Sequence, residues 1–236
     1  RSRGLGDVYK RQGCACASNS IFKSLTIEEN SFLESEKSCN EYKRGDIIYR
    51  EGSRINGVFC LFSGILKIYK TGSDGKEQIV AFAKEGDITG YRSVLSSEPA
   101  CTTAEVIQDA HICFIPSAVI IHLVKSNGHF AFSLLQVICK ELNQANSYIK
   151  DIAQKTVRER LAEALLMLEL NFGLNNEGYL NIILTREELA NIVGTATESV
   201  IRLLSEFKAE KTISMQGKRI KLENKAYLEK LSKSFN

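Results

Sequence analysis

Near Ser117 the apolar pattern of this 236-residue chain changes period, and that change bounds the fold more tightly than any other feature. Upstream, from about Tyr42 to Pro116, short runs of β-branched and aromatic residues follow one another: Asp46–Arg50, Val58–Phe62, Ile65–Tyr69, Gln78–Phe82, Ala104–Val106 and His111–Ile115. Gly45, Gly52, Gly57, Gly64, Gly75, Gly86 and Gly90 punctuate them. Ser73-Asp74-Gly75 reads as a hairpin turn, because glycine adopts the positive φ such turns need. Short strands at intervals of ~8–12 residues predict a β-sandwich or barrel. Downstream, Leu134, Ile138, Leu142, Ala145, Ile149 and Ile152 recur at steps of three and four, and neither Pro nor Gly interrupts Phe130–Val157. This stripe predicts one long helix and a two-stranded coiled coil between protomers. Packing within a single domain is the alternative.

Composition removes several classes. Hydrophobic residues make up 44% and charged residues 25% of the chain, a globular balance that excludes a disordered or collagen-like polymer. The apolar stretch Ala118–Ile121 is broken by His122 and Lys125, and no run of ~18 apolar residues exists, so a transmembrane helix is excluded. Seven cysteines at irregular spacing, with no apolar secretory leader, read as free thiols of a reducing cytoplasm, with Cys60 and Cys113 as small buried hydrophobes. The histidines are His111, His122 and His129, and no HxH, HExxH or GxSxG arrangement occurs, so the chain is not expected to be an enzyme.

Residues 1–12, RSRGLGDVYKRQ, show neither helical nor strand periodicity and resemble the in-frame translation of a sequencing adapter. They are read as a non-native leader that replaces the true N-terminus. The formal charge of +3 lies wholly there, in Arg1, Arg3, Lys10 and Arg11 against Asp7, so the net charge is no argument for an anionic partner.

Beyond the leader, Leu25–Ser38 reads as a short helix with Thr26 and Glu29 as a capping box. Val157–Leu170 reads as an amphipathic helix, Tyr179–Leu184 as an extended segment, and the chain ends in a helical tail to Phe235. Between them lies the most informative stretch, Thr185–Phe207. Thr185 with Glu188 starts one helix, Gly194 ends it, and Thr195 with Glu198 signals the next. Leu189, Ala190, Val193, Val200, Leu203 and Leu204 supply a buried seam. Two short helices around a tight glycine turn form a helix-turn-helix, whose second helix enters the DNA major groove. Glu198 and Arg202 share a face of that helix; Glu accepts from cytosine N4, and Arg donates to guanine O6 and N7. The plainer reading is an i,i+4 ion pair between them. Thr197 and Ser199 suit phosphate or base-edge contacts. Ser214–Leu222 reads as a hairpin around Gly217, a wing placing Lys218, Arg219 and Lys221 against phosphates.

The order β domain, long helix, winged helix-turn-helix resembles the CRP/FNR family of bacterial transcription regulators, over essentially all of Ser24–Asn236. Its strongest stretch is TREELANIVGTATESVIRLLSEF. The resemblance implies an α+β fold: an N-terminal β-roll (double-stranded β-helix or jelly roll), a long dimerisation helix, and a C-terminal winged helix-turn-helix. The corresponding boundaries are 13–128, 129–156 and 157–236. It implies a homodimer bound to double-stranded DNA with two-fold symmetric half-sites, DNA contacts from Thr185, Arg186, Thr195, Thr197, Glu198, Ser199, Arg202, Lys218 and Arg219, and RNA polymerase as a further partner. No membrane is implied. An assembly module with a purely structural helix-turn-helix is the competing class.

The resemblance places an effector pocket at Gly90, Tyr91, Arg92, Thr102 and Thr103. Relatives that bind cyclic nucleotides hold the ribose with a Glu where Tyr91 stands, and the phosphate with an Arg where Thr102 stands. Losing the bidentate Arg argues against cAMP. The oxygen-sensing branch holds an iron–sulfur cluster on N-terminal cysteines and one further cysteine before Ile-Pro. Cys113-Phe114-Ile115-Pro116 matches that last position, with Cys14, Cys16 and Cys39 upstream but without C-x2-C spacing. The cluster stays an open alternative, since four thiolates are needed.

Overall fold

The structure is a computed structural model that describes residues 21–233. The leader reading on residues 1–12, and Cys14 and Cys16, fall outside the described residues. The chain divides into two compact units, Arg1–Thr71 with Val80–Leu142, and Gly72–Ile79 with Asn143–Asn236.

In the first unit, helix α1 (Ile27–Glu36) starts at the expected capping box: the Thr26 hydroxyl accepts the Glu29 N–H, and the Glu29 carboxylate accepts the Thr26 N–H. Strands β1 (Ser38–Tyr42), β2 (Ile47–Tyr49), β3 (Gly57–Thr71), β4 (Glu77–Ala83), β5 (Ile88–Thr89) and β6 (Thr103–Pro116) follow, with a short helix α2 (Tyr91–Ser96) before β6. The sheet runs β1-β6-β3-β4, with β2 also on β6 and β5 on β3. The fold is α+β, as expected.

Two pairs of expected strands are each one strand. Val58–Phe62 and Ile65–Tyr69 are continuous in β3, and Ala104–Val106 and His111–Ile115 in β6. The pairing of β3 with β6 shifts register between Leu61 and Leu66. Gly64 sits there at φ +91°, where a Cβ would come within 2.5 Å of Ala110 Cα. This glycine marks a bulge that bends the strand rather than a turn that ends it.

Strand β1 was not legible in the sequence, because four of its five residues are exposed and no buried face imposes alternation. It pairs with β6 in a register that sets Cys39 against Cys113, Cα–Cα 4.0 Å, and the two sulfurs are bonded. The reading of Cys39 and Cys113 as free thiols is therefore corrected, and so is that of Cys60, which is also disulfide-bonded; Cys101 and Cys139 are free and exposed. The bond joins residues 74 apart in sequence. Cys39→Ser is expected to lower unfolding stability by about 2–4 kcal/mol under oxidising conditions. Urea titrations with and without a dithiol reductant check this; identical midpoints for wild type and variant without reductant would contradict it.

Among the described residues, two apolar clusters pack inside the unit. Tyr49, Leu61, Leu66, Ala104, Val106 and Ile112 pack together from the strands. Leu33, Val58, Cys60, Ile115, Ile120, Leu123 and Phe130 join the sheet to α1 and to helices α3 (Ser117–Ser126) and α4 (Gly128–Gln154). Helix α4 stops at Gln154, two residues short of the expected end. Thr156 and Glu159 form a capping box, missed in the sequence, that starts α5 (Val157–Phe172).

The α4 seam also needs correction. Leu134 is 3% exposed and Ile138 packs against the same core, so these two belong to the protomer's own interior. Leu142, Ala145, Ile149 and Ile152 are exposed, and so is Leu135. Leu135, Leu142 and Ile149 fall seven apart, with Ala145 and Ile152 between and beyond them at heptad spacing. The outward stripe begins at Leu135, not Leu134.

In the second unit, the segment after α5 reads irregularly. Tyr179–Leu184, expected as an extended segment, forms only an isolated bridge from Leu180 to Leu174; the Leu180 N–H donates to Ile220 O at 2.8 Å, and Leu180, Ile182 and Leu184 are buried. Helices α6 (Arg186–Val193) and α7 (Thr197–Ala209), the hairpin β7 (Ile213–Gln216) and β8 (Arg219–Leu222), and α8 (Lys225–Ser232) complete it. Leu161, Leu165, Leu168, Leu189, Val200, Leu204 and Phe207 are the buried core. Among the described residues no single helix is long and apolar enough to cross a membrane.

Candidate nucleic-acid interface

Helix α6 begins where the sequence places it. The Thr185 hydroxyl accepts the Glu188 N–H at 3.0 Å, and Glu188 accepts the Thr185 N–H at 2.6 Å. Gly194, at φ 71° and ψ 53°, turns the chain in left-handed geometry, and both its N–H and that of Thr195 donate to Ala190 O. Thr195 is thus used in closing α6. The N-cap of α7 is Ala196, one residue later than expected, with no side-chain cap. The reading of Thr195 with Glu198 as a second capping box is corrected. Ala196, at the start of α7, is exposed, and Glu198 in the first turn complements the positive end of the helix dipole.

Along α7, Val200, Leu203, Leu204 and Phe207 are buried, while Glu198, Ile201 and Arg202 are exposed and Thr197 and Ser199 half-buried. The face that holds Glu198 and Arg202 is therefore turned outward. The ion-pair partner of Arg202 is Glu206, at 2.6 Å, rather than Glu198.

The wing is a two-residue hairpin in which Gln216 pairs with Arg219, and Gly217 at φ +60° takes the position where II′ turns use glycine. Lys218 is exposed at its tip. Three cationic or polar residues expected to touch DNA carry internal tasks. Thr185 is a helix cap. The Arg186 Nη2 donates to Gly217 O at 3.0 Å, so Arg186 holds the wing tip; burial pulls its guanidinium below the usual range. Arg219 pairs with Glu177 and stacks its guanidinium 4.4 Å from the Tyr179 ring. These contacts span 31 and 42 residues of sequence, so no local pattern shows them. Glu206 itself was missed, although its spacing of four from Arg202 was a usable signal.

The expected effector residues lie around α2. Gly90, at φ 85°, precedes it. Tyr91 is 3% exposed inside the core, and its hydroxyl has no hydrogen-bond partner among the described residues. Burial, with the nearby Glu141 carboxylate, pushes its pKa up. Arg92 Nη2 donates to Glu141 of α4 at 2.8 Å, and Nη1 lies 3.7 Å from Cys101 Sγ. Thr102 and Thr103 are buried, and Thr103 Oγ1 accepts the Glu51 N–H at 3.0 Å. A packed phenol where a ribose-holding carboxylate is needed, and an arginine already engaged by a carboxylate, do not fit a cyclic nucleotide. Cys113 does not fit a cluster in this form either, since a disulfide sulfur is not a thiolate ligand.

The same order of parts recurs in known proteins. A family model described as cyclic nucleotide-binding domain matches residues 39–127, and one described as Crp-like helix-turn-helix domain matches residues 159–231. The transcriptional activator protein Anr of Pseudomonas aeruginosa is 26% identical over 211 residues, covering 88% of this chain and 86% of that protein. The CRP-like cAMP-activated global transcriptional regulator of Mycobacterium tuberculosis is 25% identical over 202 residues, covering 85% and 90%. The solved structure of FixK2 from Bradyrhizobium japonicum superimposes with a TM-score of 0.74 at 26% identity, covering 83% of this chain and 96% of that one.

Proposed function

Since the chain belongs to the CRP/FNR family of DNA-binding transcription regulators, which are not enzymes, we propose that it acts as a cytoplasmic homodimer reading a two-fold symmetric operator. In this reading residues 13–128 are the sensor, 129–156 the dimerisation helix and 157–236 the DNA-binding domain. Two copies of α7 enter successive major grooves about one helical turn apart. Glu198 and Arg202 read a G·C pair in each half-site, Thr197 and Ser199 reach adjacent base edges or phosphates, and Lys218 lies against the backbone. Arg186 and Arg219 act by holding the wing in place. The exposed face of α7, with Arg202 outward beside a wing tipped by Lys218, is the observation that carries this reading.

The signal acts in the roll and is not cAMP, because Tyr91 and Thr102 replace the groups that would hold the ribose and phosphate. Arg92 and Glu141 join the effector region to α4, so the roll and the helix that carries the dimer seam share an ion pair. RNA polymerase is the further partner that the family implies.

Electrostatics offers the first test. Phosphate contacts release counterions, so affinity for any duplex falls steeply with salt. Fluorescence anisotropy on a labelled random-sequence duplex is expected to show affinity dropping at least tenfold between 50 mM and 200 mM salt. A duplex affinity insensitive to salt, or none at all, would favour the assembly-module reading.

A further inference from the structure

Arg202 is not a free side chain waiting for a base. Its Nη1 donates to Glu206 Oε1 at 2.6 Å, one turn along α7. The other oxygen of Glu206 accepts Arg158 Nη1 at 2.9 Å. Arg158, on α5, is fixed in turn: its Nη2 donates to both carboxylate oxygens of Glu210, at 2.8 and 2.6 Å, and its guanidinium lies 4.6 Å from the ring centre of buried Phe207. The chain Phe207–Arg158–Glu206–Arg202 therefore runs from the hydrophobic core to the exposed face of the helix. Each link is a charge-assisted or cation–π contact with a defined geometry.

We propose that Glu206 is a positioning residue for Arg202, holding the guanidinium in one orientation and so setting how sharply its base pair is discriminated. The inference rests on the reading of α7 as the recognition helix. A long arginine side chain has many rotamers, and fixing one before binding removes the alternatives in which it could donate to a wrong acceptor. The ion pair occupies Nη1 and leaves the Nε–Nη2 edge, which is itself a bidentate donor matched to guanine O6 and N7. The carboxylate has an opposing effect on affinity, because a negative charge beside Arg202 repels phosphates whatever their sequence. Glu206 thus exchanges general affinity for selectivity, an outcome that neither a plain surface ion pair nor a purely structural contact produces.

The test uses the full chain and a library of duplexes with randomised inverted-repeat half-sites, from which the wild type enriches a motif. Glu206→Gln is expected to bind a random duplex about threefold more tightly. Its preference for the enriched duplex, over the same duplex changed at the pair that Arg202 reads, is expected to fall roughly tenfold. Glu210→Gln touches Arg158 but not Arg202, and is expected to keep most of the preference. In an Arg202→Ala background, Glu206→Gln should still raise random-duplex affinity but leave preference unchanged, which separates positioning from charge. If Glu206→Gln retains the full preference of a wild type that does enrich a motif, the inference is overturned while the recognition reading stands. If the wild type enriches no motif, both fall together. Random-duplex binding by Glu206→Gln reports that the variant is folded.

Discussion

Arg202→Ala is expected to remove the preference for the G·C pair in each half-site, and with it most of the sequence preference, while leaving the protein folded and dimeric. The side chain is exposed, so its removal opens no cavity, and the pair with Glu206 is an exposed i,i+4 contact worth little to folding. A bidentate arginine–guanine contact contributes ~1–3 kcal/mol of discrimination, and a dimer makes it twice. Preference for the enriched duplex over a random one should therefore fall by about thirtyfold or more, with affinity for the random duplex changing far less. Anisotropy titrations on both duplexes check this. Full preference in the variant would mean that α7 does not read bases through Arg202.

The second large effect concerns α4. Leu142 and Ile149 are 61% and 65% exposed in the protomer, one heptad apart on a stripe completed by Leu135, Ala145 and Ile152. Burying a leucine or isoleucine contributes ~1.5–3 kcal/mol, and a two-fold seam buries each residue twice. Leu142→Glu combined with Ile149→Glu is expected to shift sedimentation equilibrium at micromolar concentration from dimer to monomer. The protomer should keep its melting temperature under dilute conditions, because Leu134 and Ile138, which hold α4 to its own core, are untouched. Since operator reading needs two copies of α7, specific binding should weaken at the same time. A double variant that still sediments as a dimer would place the interface elsewhere.

Much of this was legible in the sequence where local chemistry decides structure. The capping boxes at Thr26 and Thr185, the left-handed Gly194 and the Gly217 turn were read correctly, because each is a contact between residues two to five apart. The misses share a different cause. Strand β1 has no buried face and is held by its partner strand, so its own residues carry no period. Gly64 looked like a turn because its positive φ is common to turns and bulges, and only Ala110 on β6 decides between them. The expected seam takes in Leu134 and Ile138, which face the protomer's own core, because a helix packed on one side and free on the other carries apolar residues on both, Leu135 on the free one.

The candidate site divides the same way. Glu198 and Arg202 on an outward face follow from helical spacing alone. The internal tasks of Arg186 and Arg219 depend on partners at Gly217, Glu177 and Tyr179 that only folding brings near. Cationic residues close to a recognition helix are thus a mixed set, some facing the nucleic acid and some holding the elements that do.

The central claim, that this chain reads a two-fold symmetric DNA sequence through α7, is tested most directly by enrichment from a randomised duplex library with the wild-type chain and Arg202→Ala in parallel. The wild type is expected to yield an inverted repeat whose half-sites lie about one helical turn apart. A G·C pair should be fixed in each half-site, and that pair should become random in the variant. No enriched motif, or the same motif with both proteins, would contradict the account.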